Sequence, residues 1–175
     1  MSKLKNSLLK FTKFHVQPTD FQIEPITIPS HIIPPPWLNK NSRYQKFNSQ
    51  NVSLITSPTD IANLKIAAKI AARALKKAVE LSQTEQNGHD LDVKLTEFIL
   101  SEDAYPSGIG FMNFPKSICI SPNDVLVHGI PNKRPFQEGD FINLDVTVFK
   151  NEFYGDNSTM VAIGDVDLEI KRLVY

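Results

Sequence analysis

The chain has 175 residues, enough for one ordinary domain, and 41% of them are hydrophobic, which is sufficient for a core. Lysine plus arginine and aspartate plus glutamate number 19 each, so the charge balance gives no reason to expect a nucleic-acid partner. The single cysteine, Cys119, excludes a disulfide within these residues and a cysteine-based zinc finger, and no apolar run approaches the roughly 20 residues that span a membrane.

Residues 1–20 are basic and contain no acid before Asp20. Leu4, Leu8 and Phe11 would share one side of a helix, and hydroxyl side chains are interspersed among the lysines. This composition is typical of an organelle transit segment, although such segments usually prefer arginine, which is absent here. The pattern predicts mitochondrial import. A solvated basic tail on a cytoplasmic protein is the alternative.

Residues 21–51 are rich in proline and, towards their end, in asparagine, with three consecutive prolines at 34–36 followed by Trp37. Proline removes a backbone donor and fixes φ, so neither a helix nor a central strand is expected. We interpret this segment as an extended arm that lies along a domain, with Trp37 as its anchor. A disordered linker is the alternative.

The globular domain is expected to occupy residues 52–175 and to open with a long helix. Ser57 and Pro58, with Asp60 three residues after the serine, form a typical helix start, and the helix should run to about Ser82. The apolar residues that repeat at helical spacing are Ile61, Leu64, Ala68, Ala71, Leu75 and Ala78.

A second, shorter helix is predicted after Asn87 and Gly88, which interrupt the helical pattern. It should span residues 91–101, with four apolar side chains facing inward: Leu91, Leu95, Phe98 and Ile99. The next stretch, residues 104–115, is rich in glycine, proline and aromatic residues, which favours a loop over a pocket.

Strand-like runs follow at residues 117–121, 124–128, 141–149 and 153–163, and the last two are separated by a turn at 150–152. The third run alternates, so that Leu144, Val146 and Val148 share one face while the other face holds Asn143, Asp145 and Thr147. Helices followed by an antiparallel hairpin predict an α+β domain.

Two acids in the hairpin carry the chemical argument. Asp145 lies within an apolar strand, where an unpaired buried acid costs several kcal/mol, and Asp156 follows the turn on the return strand. A hairpin would bring the two carboxylates together, and hard divalent cations between them would relieve their repulsion. By themselves, however, these acids are more often turn caps or solvent-facing side chains.

His128 adds a third functional group. It follows the apolar run at residues 125–127 and precedes Gly129, so it should present its imidazole at a sheet edge. A histidine there can donate to a substrate carbonyl or transfer a proton, although a lone histidine at a strand end is more often structural.

Four blocks, taken together in this order and spacing, closely resemble type I methionine aminopeptidases of peptidase family M24. The blocks are FPKSICIS at 114–121, NDVLVHGIP at 123–131, EGDFINLDVTV at 138–148 and YGDNS at 154–158. The resemblance covers about 55–165 and is strongest to the mitochondrial branch, because Arg134 and Pro135 lie in a short connection and the cysteine-rich extension of cytosolic members is absent. Residues 29–32, before the prolines, are also similar to the N-terminal arm of that branch.

The resemblance implies the pita-bread α+β fold, built from two pseudo-symmetric halves, of which this chain would supply the N-terminal half. It implies two divalent metal ions (Co, Mn, Fe or Zn), with Asp145 binding one ion and Asp156 bridging both. The implied substrates are the N-terminal methionine peptides of nascent proteins. His128 would be catalytic and contact the scissile amide, and the segment that shapes the methionine pocket contains Tyr105, Phe111 and Phe114.

The chain also departs from the pattern of this family. Val127 stands where the family usually has cysteine, Asn113 where it has glycine, Tyr154 where histidine is common, and Asn157 where it has threonine. Three further metal ligands, one histidine and two glutamates, belong to the second half of the fold, and the sequence ends at Tyr175 before any of them. The missing half would pack on the face that is otherwise exposed.

Two functional readings remain from the sequence. The first is metal-dependent removal of the initiator methionine, with the chain as it stands expected to be inactive because it is truncated before the second half. The alternative is a non-catalytic module that keeps half of the fold and binds a peptide or a protein.

Overall fold

The structure is a computed structural model that describes residues 24–38, 57–83 and 85–174. The predicted targeting segment, residues 1–20, and the polar end of the predicted arm, 39–51, lie outside these residues. Within the described ranges, no helix is both long and apolar enough to cross a membrane.

The first helix, α1, spans Pro58–Ser82, as its N-terminal sequence predicts. The Ser57 side chain accepts hydrogen bonds from the backbone N–H groups of Thr59 at 3.2 Å and Asp60 at 3.4 Å. These bonds satisfy donors that the first turn of a helix leaves without a partner. Pro58 is tolerated at the first helical position because the N–H that it lacks would have had no helical acceptor.

The face that helix α1 buries agrees only in part with the predicted one. Ile61 is 40% exposed and Ala68 is exposed, so these two members of the predicted stripe are wrong. Leu64 is partly buried, and the other three members are confirmed, since Ala71 and Ala78 are fully buried and Leu75 packs against the core. The apolar side chains that are buried are Ala67, Ile70, Ala71, Ala74, Ala78 and Leu81. Most of them are alanines, because a helix that lies close to a sheet can accommodate only small side chains at the contact.

The second helix, α2, spans Gly88–Ser101 and begins three residues before the predicted Leu91. Asn87 does more than interrupt the preceding helical pattern. Its Oδ1 accepts a hydrogen bond from the backbone N–H of Asp90 at 2.9 Å and caps the helix. The predicted inward residues are confirmed, since three are fully buried and the fourth packs against the same core: Leu91, Leu95, Ile99 and Phe98.

The sheet contains the predicted antiparallel hairpin. Strands β3 (Phe141–Lys150) and β4 (Phe153–Ala162) pair along their full length. Asn151 and Glu152 make the turn between them with positive φ values of 51° and 70°, as two-residue hairpin turns require.

Two further strands pair with the other edge of β3. They are β2 (Ile118–Pro122), which is longer, and β1 (Tyr105–Pro106), which consists of two residues. A short helix, α3 (Leu168–Val174), follows β4. Of the strands predicted from the sequence, the one at residues 117–121 is thus confirmed within one residue at each end.

Residues 124–128 do not form the predicted strand. Pro122 ends β2, and Asn123 turns the chain with a φ of 53°. Leu126 is then 89% exposed and Val127 is 61% exposed, so the apolar run that suggested a strand lies at the surface in a loop. Apolar residues predict a strand only where a neighbouring strand can accept their backbone hydrogen bonds, and here the chain has already turned away.

Helices α1 and α2 cover one face of the sheet and leave the other face to the polar side chains of β3. Leu144, Val146 and Val148 are completely buried beneath the helices. The alternate residues, Asn143, Asp145 and Thr147, are only partly buried and point the other way. The alternation read from the sequence therefore separates the core face from the face that holds the candidate site.

Gly155 lets helix α1 approach strand β4. A Cβ atom added to this glycine would lie 2.3 Å from the carbonyl oxygen of Ala67 and 2.5 Å from its carbonyl carbon, distances that backbone atoms cannot tolerate. We expect Gly155→Ala to lower the free energy of unfolding by roughly 1–3 kcal/mol or more, because the helix must move away from the sheet.

Denaturation with urea measures this change, and Gly88→Ala is the matched control. A Cβ at Gly88 would meet the flexible end of Ile120 at 3.3 Å and no backbone atom closer than 3.5 Å. Alanine is also favoured over glycine in a helix. Equal destabilisation by the two variants would show that the contact between Gly155 and helix α1 is not tight.

Candidate functional site

The register of the hairpin places Asp145 and Asp156 on the same face of the sheet. Asp145 pairs with Ser158, and Thr147 pairs with Asp156, so the two acids are diagonal neighbours across strands β3 and β4. Thr147 Oγ1 donates a hydrogen bond to Asp156 Oδ1 at 2.6 Å. The two carboxylates are thus presented together on the polar side of the hairpin.

A cavity of about 670 Å³ opens on this face of the sheet, and both acids line it. His128 lines the same cavity, so the structure brings together all three residues that the sequence singled out for metal binding or catalysis. Most of the other residues in its wall are apolar or aromatic, and they include Trp37, Phe111, Met112, Phe114, Pro115 and Ile130. A compact polar group beside an apolar wall suits a ligand with one reactive and one apolar part.

The electrostatics of this cavity favour a cation. Burial raises the pKa of Asp145, the negative charge of Asp156 raises it further, and His128 opposes the rise. Burial and then the charges of Asp145 and Asp156 raise the pKa of the Cys119 thiol to about 11. Without a cation in the cavity, the thiol is therefore protonated at neutral pH.

The donor set fits part of a divalent-metal site. Carboxylate oxygens are the ligands that hard divalent ions prefer, and a cation would offset the repulsion between the two acids. Among the described residues, however, no group of three histidine, cysteine, aspartate or glutamate side chains is arranged to hold a metal ion. The two aspartates alone therefore do not complete a divalent-metal site within the described residues.

The backbone of the loop after β2 determines the position of His128, which has a φ of 54°. The next residue, Gly129, is held against β2 because its N–H donates to Ser121 Oγ at 3.0 Å and its carbonyl accepts from Ile120 N–H at 2.9 Å. A Cβ at Gly129 would lie 2.1 Å from the carbonyl oxygen of Ile120, so only glycine fits this contact. The imidazole thus lies beside the sheet edge, although the residue lies within a loop and not at the end of a strand.

Asp140 holds the other end of the same loop. Its buried carboxylate accepts hydrogen bonds from both terminal nitrogens of Arg134 at 2.8 and 2.9 Å, from Asn123 Nδ2 at 2.9 Å and from the Gln137 N–H at 2.9 Å. Burial opposes ionisation of this group, but the hydrogen bonds and the charge of Arg134 keep its pKa below the ordinary value. The turn that starts at Asn123 is therefore tied to the start of strand β3.

A buried ion pair supports the cavity wall from behind. Lys116 and Asp92 are 1% and 0% exposed, and Lys116 Nζ lies 3.5 Å from Asp92 Oδ2 and 3.1 Å from His89 Nδ1. Asp92 Oδ1 accepts hydrogen bonds from the Ser117 N–H at 2.8 Å and from Ser117 Oγ at 2.5 Å. Because Ser117 lines the cavity, these contacts connect the cavity wall to helix α2.

Only two of the three predicted pocket residues line the cavity. Phe111 and Phe114 line the cavity, whereas Tyr105 does not. Tyr105 is 4% exposed, donates a hydrogen bond from its hydroxyl to the Ile109 carbonyl at 3.2 Å, and belongs to a separate apolar cluster with Ile32. Its side chain is buried in this cluster and does not reach the cavity, so the structure does not support a direct contact between Tyr105 and a substrate.

One cavity residue could not be assigned from the sequence. Trp37 belongs to the proline-rich arm, some seventy residues before Phe111, and the sequence suggests only that it anchors the arm. In the structure it lines the cavity and contacts the ring of Phe111. No local motif marks this contact, and only the position of the arm on the folded domain reveals it.

Comparison with known proteins gives a consistent result. The model of metallopeptidase family M24 matches residues 62–175. The chain is 36% identical over 155 residues to methionine aminopeptidase 1B, chloroplastic, of Arabidopsis thaliana, a match that covers 85% of this chain and 40% of the relative. It is 42% identical over 114 residues to methionine aminopeptidase 1D, mitochondrial, of Mus musculus, covering 65% of this chain and 34% of the relative.

Solved structures agree with these relatives. Methionine aminopeptidase from Rickettsia prowazekii superposes with a TM-score of 0.67 at 37% identity, covering 70% of this chain and 50% of the other. Methionine aminopeptidase from Thermotoga maritima superposes with a TM-score of 0.66 at 28% identity, with the same coverage of both chains. The chain thus spans less than half the length of these curated relatives and half the length of the solved chains.

Proposed function

Because the chain belongs to metallopeptidase family M24 and its helices and sheet match about half of the pita-bread α+β fold, we propose that it takes part in removing the initiator methionine from nascent proteins. The relatives that carry the name methionine aminopeptidase support this substrate class. The reaction is hydrolysis of the peptide bond that follows an N-terminal methionine.

One observation carries this proposal. Asp145 and Asp156 project from neighbouring strands into the cavity that also receives His128. Two acids placed side by side without a counter-charge would only destabilise the fold, so their arrangement is explained best by divalent cations between them.

The residues of the chain have separable roles in this centre. Asp145 would hold one ion and Asp156 would bridge two, while Thr147 keeps the Asp156 carboxylate oriented through its hydrogen bond. The chemistry that divalent ions such as Co, Mn, Fe or Zn supply when bound is activation of water and polarisation of a carbonyl. His128, at the rim of the same cavity, would donate a hydrogen bond to the scissile amide.

We further propose that the 175 residues need a partner segment for activity. Two aspartates supply few protein ligands for two ions, and the resemblance implies one histidine and two glutamates from a second half of the fold. The polar face of the sheet, where the cavity opens, is the surface on which that half would pack. The 175-residue chain by itself should therefore not release methionine at an appreciable rate.

The test compares the 175-residue chain with a chimera that continues into the C-terminal half of methionine aminopeptidase 1D of Mus musculus. Both are assayed on the peptide Met-Ala-Ser with excess manganese or cobalt, and circular dichroism establishes that both are folded. We expect turnover by the chimera alone. Turnover by the short chain would refute the need for a second half, and a folded but inactive chimera would favour the non-catalytic binding module.

We also propose that the protein acts in mitochondria. The acid-free, lysine-bearing segment 1–20 supports this location, as do the mitochondrial names of relatives from Mus musculus and Homo sapiens. A fluorescent reporter fused behind residues 1–20 is expected to enter mitochondria. A reporter in which the lysines are replaced by glutamate serves as the control, and diffuse cytosolic fluorescence of the unmodified fusion would refute the location.

A further inference from the structure

The arm covers the hairpin end of the face that holds the candidate site. On β3, Phe149 shares this face with Asp145, and on β4, Tyr154 shares it with Asp156, since each pair is separated by an even number of residues. The ring centroids of Phe149 and Tyr154 are 4.9 Å apart. Ile32 from the arm is 4% exposed and packs into the cluster that contains Phe149. The arm thus closes one end of the cavity.

Several contacts hold the arm in place. His31 Nε2 lies 3.1 Å from Asp103 Oδ1, and Pro35 is fully buried. Gly110 has a φ of 84°, and a Cβ at this position would lie 2.8 Å from Leu38 Cδ2. The loop that contributes Phe111 to the cavity is therefore shaped to receive the end of the arm.

Trp37 is the arm residue that reaches the cavity. Its ring lies edge to face against Phe111, with ring centroids 5.4 Å apart and an interplanar angle of 72°. Burial raises the pKa of the Tyr154 hydroxyl, and the nearby indole of Trp37 opposes the rise. The indole therefore packs against Phe111 and lines the cavity together with Tyr154.

We propose that Trp37 is a specificity-determining residue: the arm supplies one apolar wall of the cavity, and the indole contacts the apolar side chain at the N-terminus of a bound peptide. This inference rests on the proposed function and identifies a residue outside the M24 match that selects the substrate. The indole fills space that a bulkier first side chain would need, so it favours an unbranched side chain such as that of methionine over a bulky aromatic one.

Replacing Trp37 with alanine should weaken binding of a methionyl peptide roughly 10-fold, at the lower end of what loss of a pocket contact typically costs. The same change should reduce discrimination against Phe-Ala-Ser relative to Met-Ala-Ser. Trp37→Phe keeps an aromatic ring and should retain part of the affinity. Ile33→Ala is the matched control, because Ile33 lies in the same arm and is 72% exposed.

Binding is measured by calorimetry in the 175-residue chain without metal, so that the outcome does not depend on hydrolysis. Trp37 is the only tryptophan in the sequence, and its fluorescence therefore reports the cavity directly. We expect wild-type emission to be shifted to the blue of free tryptophan and to change saturably with Met-Ala-Ser. Emission like that of free tryptophan, no response to the peptide, or unchanged affinity in Trp37→Ala would each overturn the inference.

The two proposals fail in distinguishable ways. If the aspartates do not bind metal but peptide affinity still depends on Trp37, the aminopeptidase proposal fails and the arm remains a wall of a peptide site. If the chimera hydrolyses Met-Ala-Ser and Trp37→Ala changes neither KM nor the preference for methionine, the role of Trp37 is refuted while the aminopeptidase proposal holds.

Discussion

Replacing Asp156 with alanine in the chimera is expected to lower turnover of Met-Ala-Ser at least about 100-fold. Loss of a residue that only orients a metal ligand typically costs 10–100-fold, and loss of a carboxylate that we propose holds the ions should cost more. Asp145→Ala should have an effect of the same order, because both acids line the one cavity. Steady-state kinetics with excess manganese measures the change, and binding of added metal is followed in parallel.

Two control variants separate metal binding from general damage. Thr147→Ala removes only the hydrogen bond to Asp156 Oδ1, so it should reduce turnover less than loss of the carboxylate itself. Asp165→Ala removes an exposed acid that pairs with Lys171 and should leave turnover unchanged. A chimera that is fully active without either cavity acid would show that the site lies elsewhere.

Replacing Lys116 with methionine is expected to lower the free energy of unfolding of the 175-residue chain by about 3–5 kcal/mol. The change leaves the fully buried carboxylate of Asp92 without its cation, and an unpaired buried charge is among the most destabilising groups in a protein. Urea denaturation measures the effect.

A second substitution tests this reason. Asn at position 92 keeps an oxygen that can accept from the Ser117 N–H, so Lys116→Met combined with Asp92→Asn should recover much of the lost stability. Lys94→Met, which breaks the ion pair of a half-exposed lysine with Glu85, should cost far less stability. If Lys116→Met behaves like Lys94→Met, the buried pair does not stabilise the cavity wall.

The parts of the fold that could be predicted from sequence are those set by local chemistry. The hydroxyl of Ser57 caps the helix that follows it, and Asn151 and Glu152 form the turn between two adjacent strands. Both features involve only neighbouring residues, so a short stretch of sequence is enough to predict them. The period-two alternation of strand β3 also placed Asp145 correctly on the face opposite the core. Placement of the two acids together then followed from the short hairpin.

The parts that could not be predicted depend on distant contacts. Close contact with the glycine on strand β4 favours Ala67, Ile70 and Ala74 at the buried face of helix α1, and the predicted stripe, which placed Ala71 and Ala78 correctly, did not include them. The apolar residues Leu126 and Val127 suggested a strand, but no neighbouring strand is available after the turn at Asn123. Trp37 reaches the cavity only because the arm folds back onto the domain.

The direct test of the central proposal is the number of metal ions that the chimera binds. Calorimetric titration with Mn²⁺ should show two ions per chain in the wild type and clearly fewer in a variant that combines Asp145→Ala with Asp156→Ala, with both proteins folded by circular dichroism. Retention of both ions at wild-type affinity in the double variant would contradict the assignment of these aspartates to the metal centre.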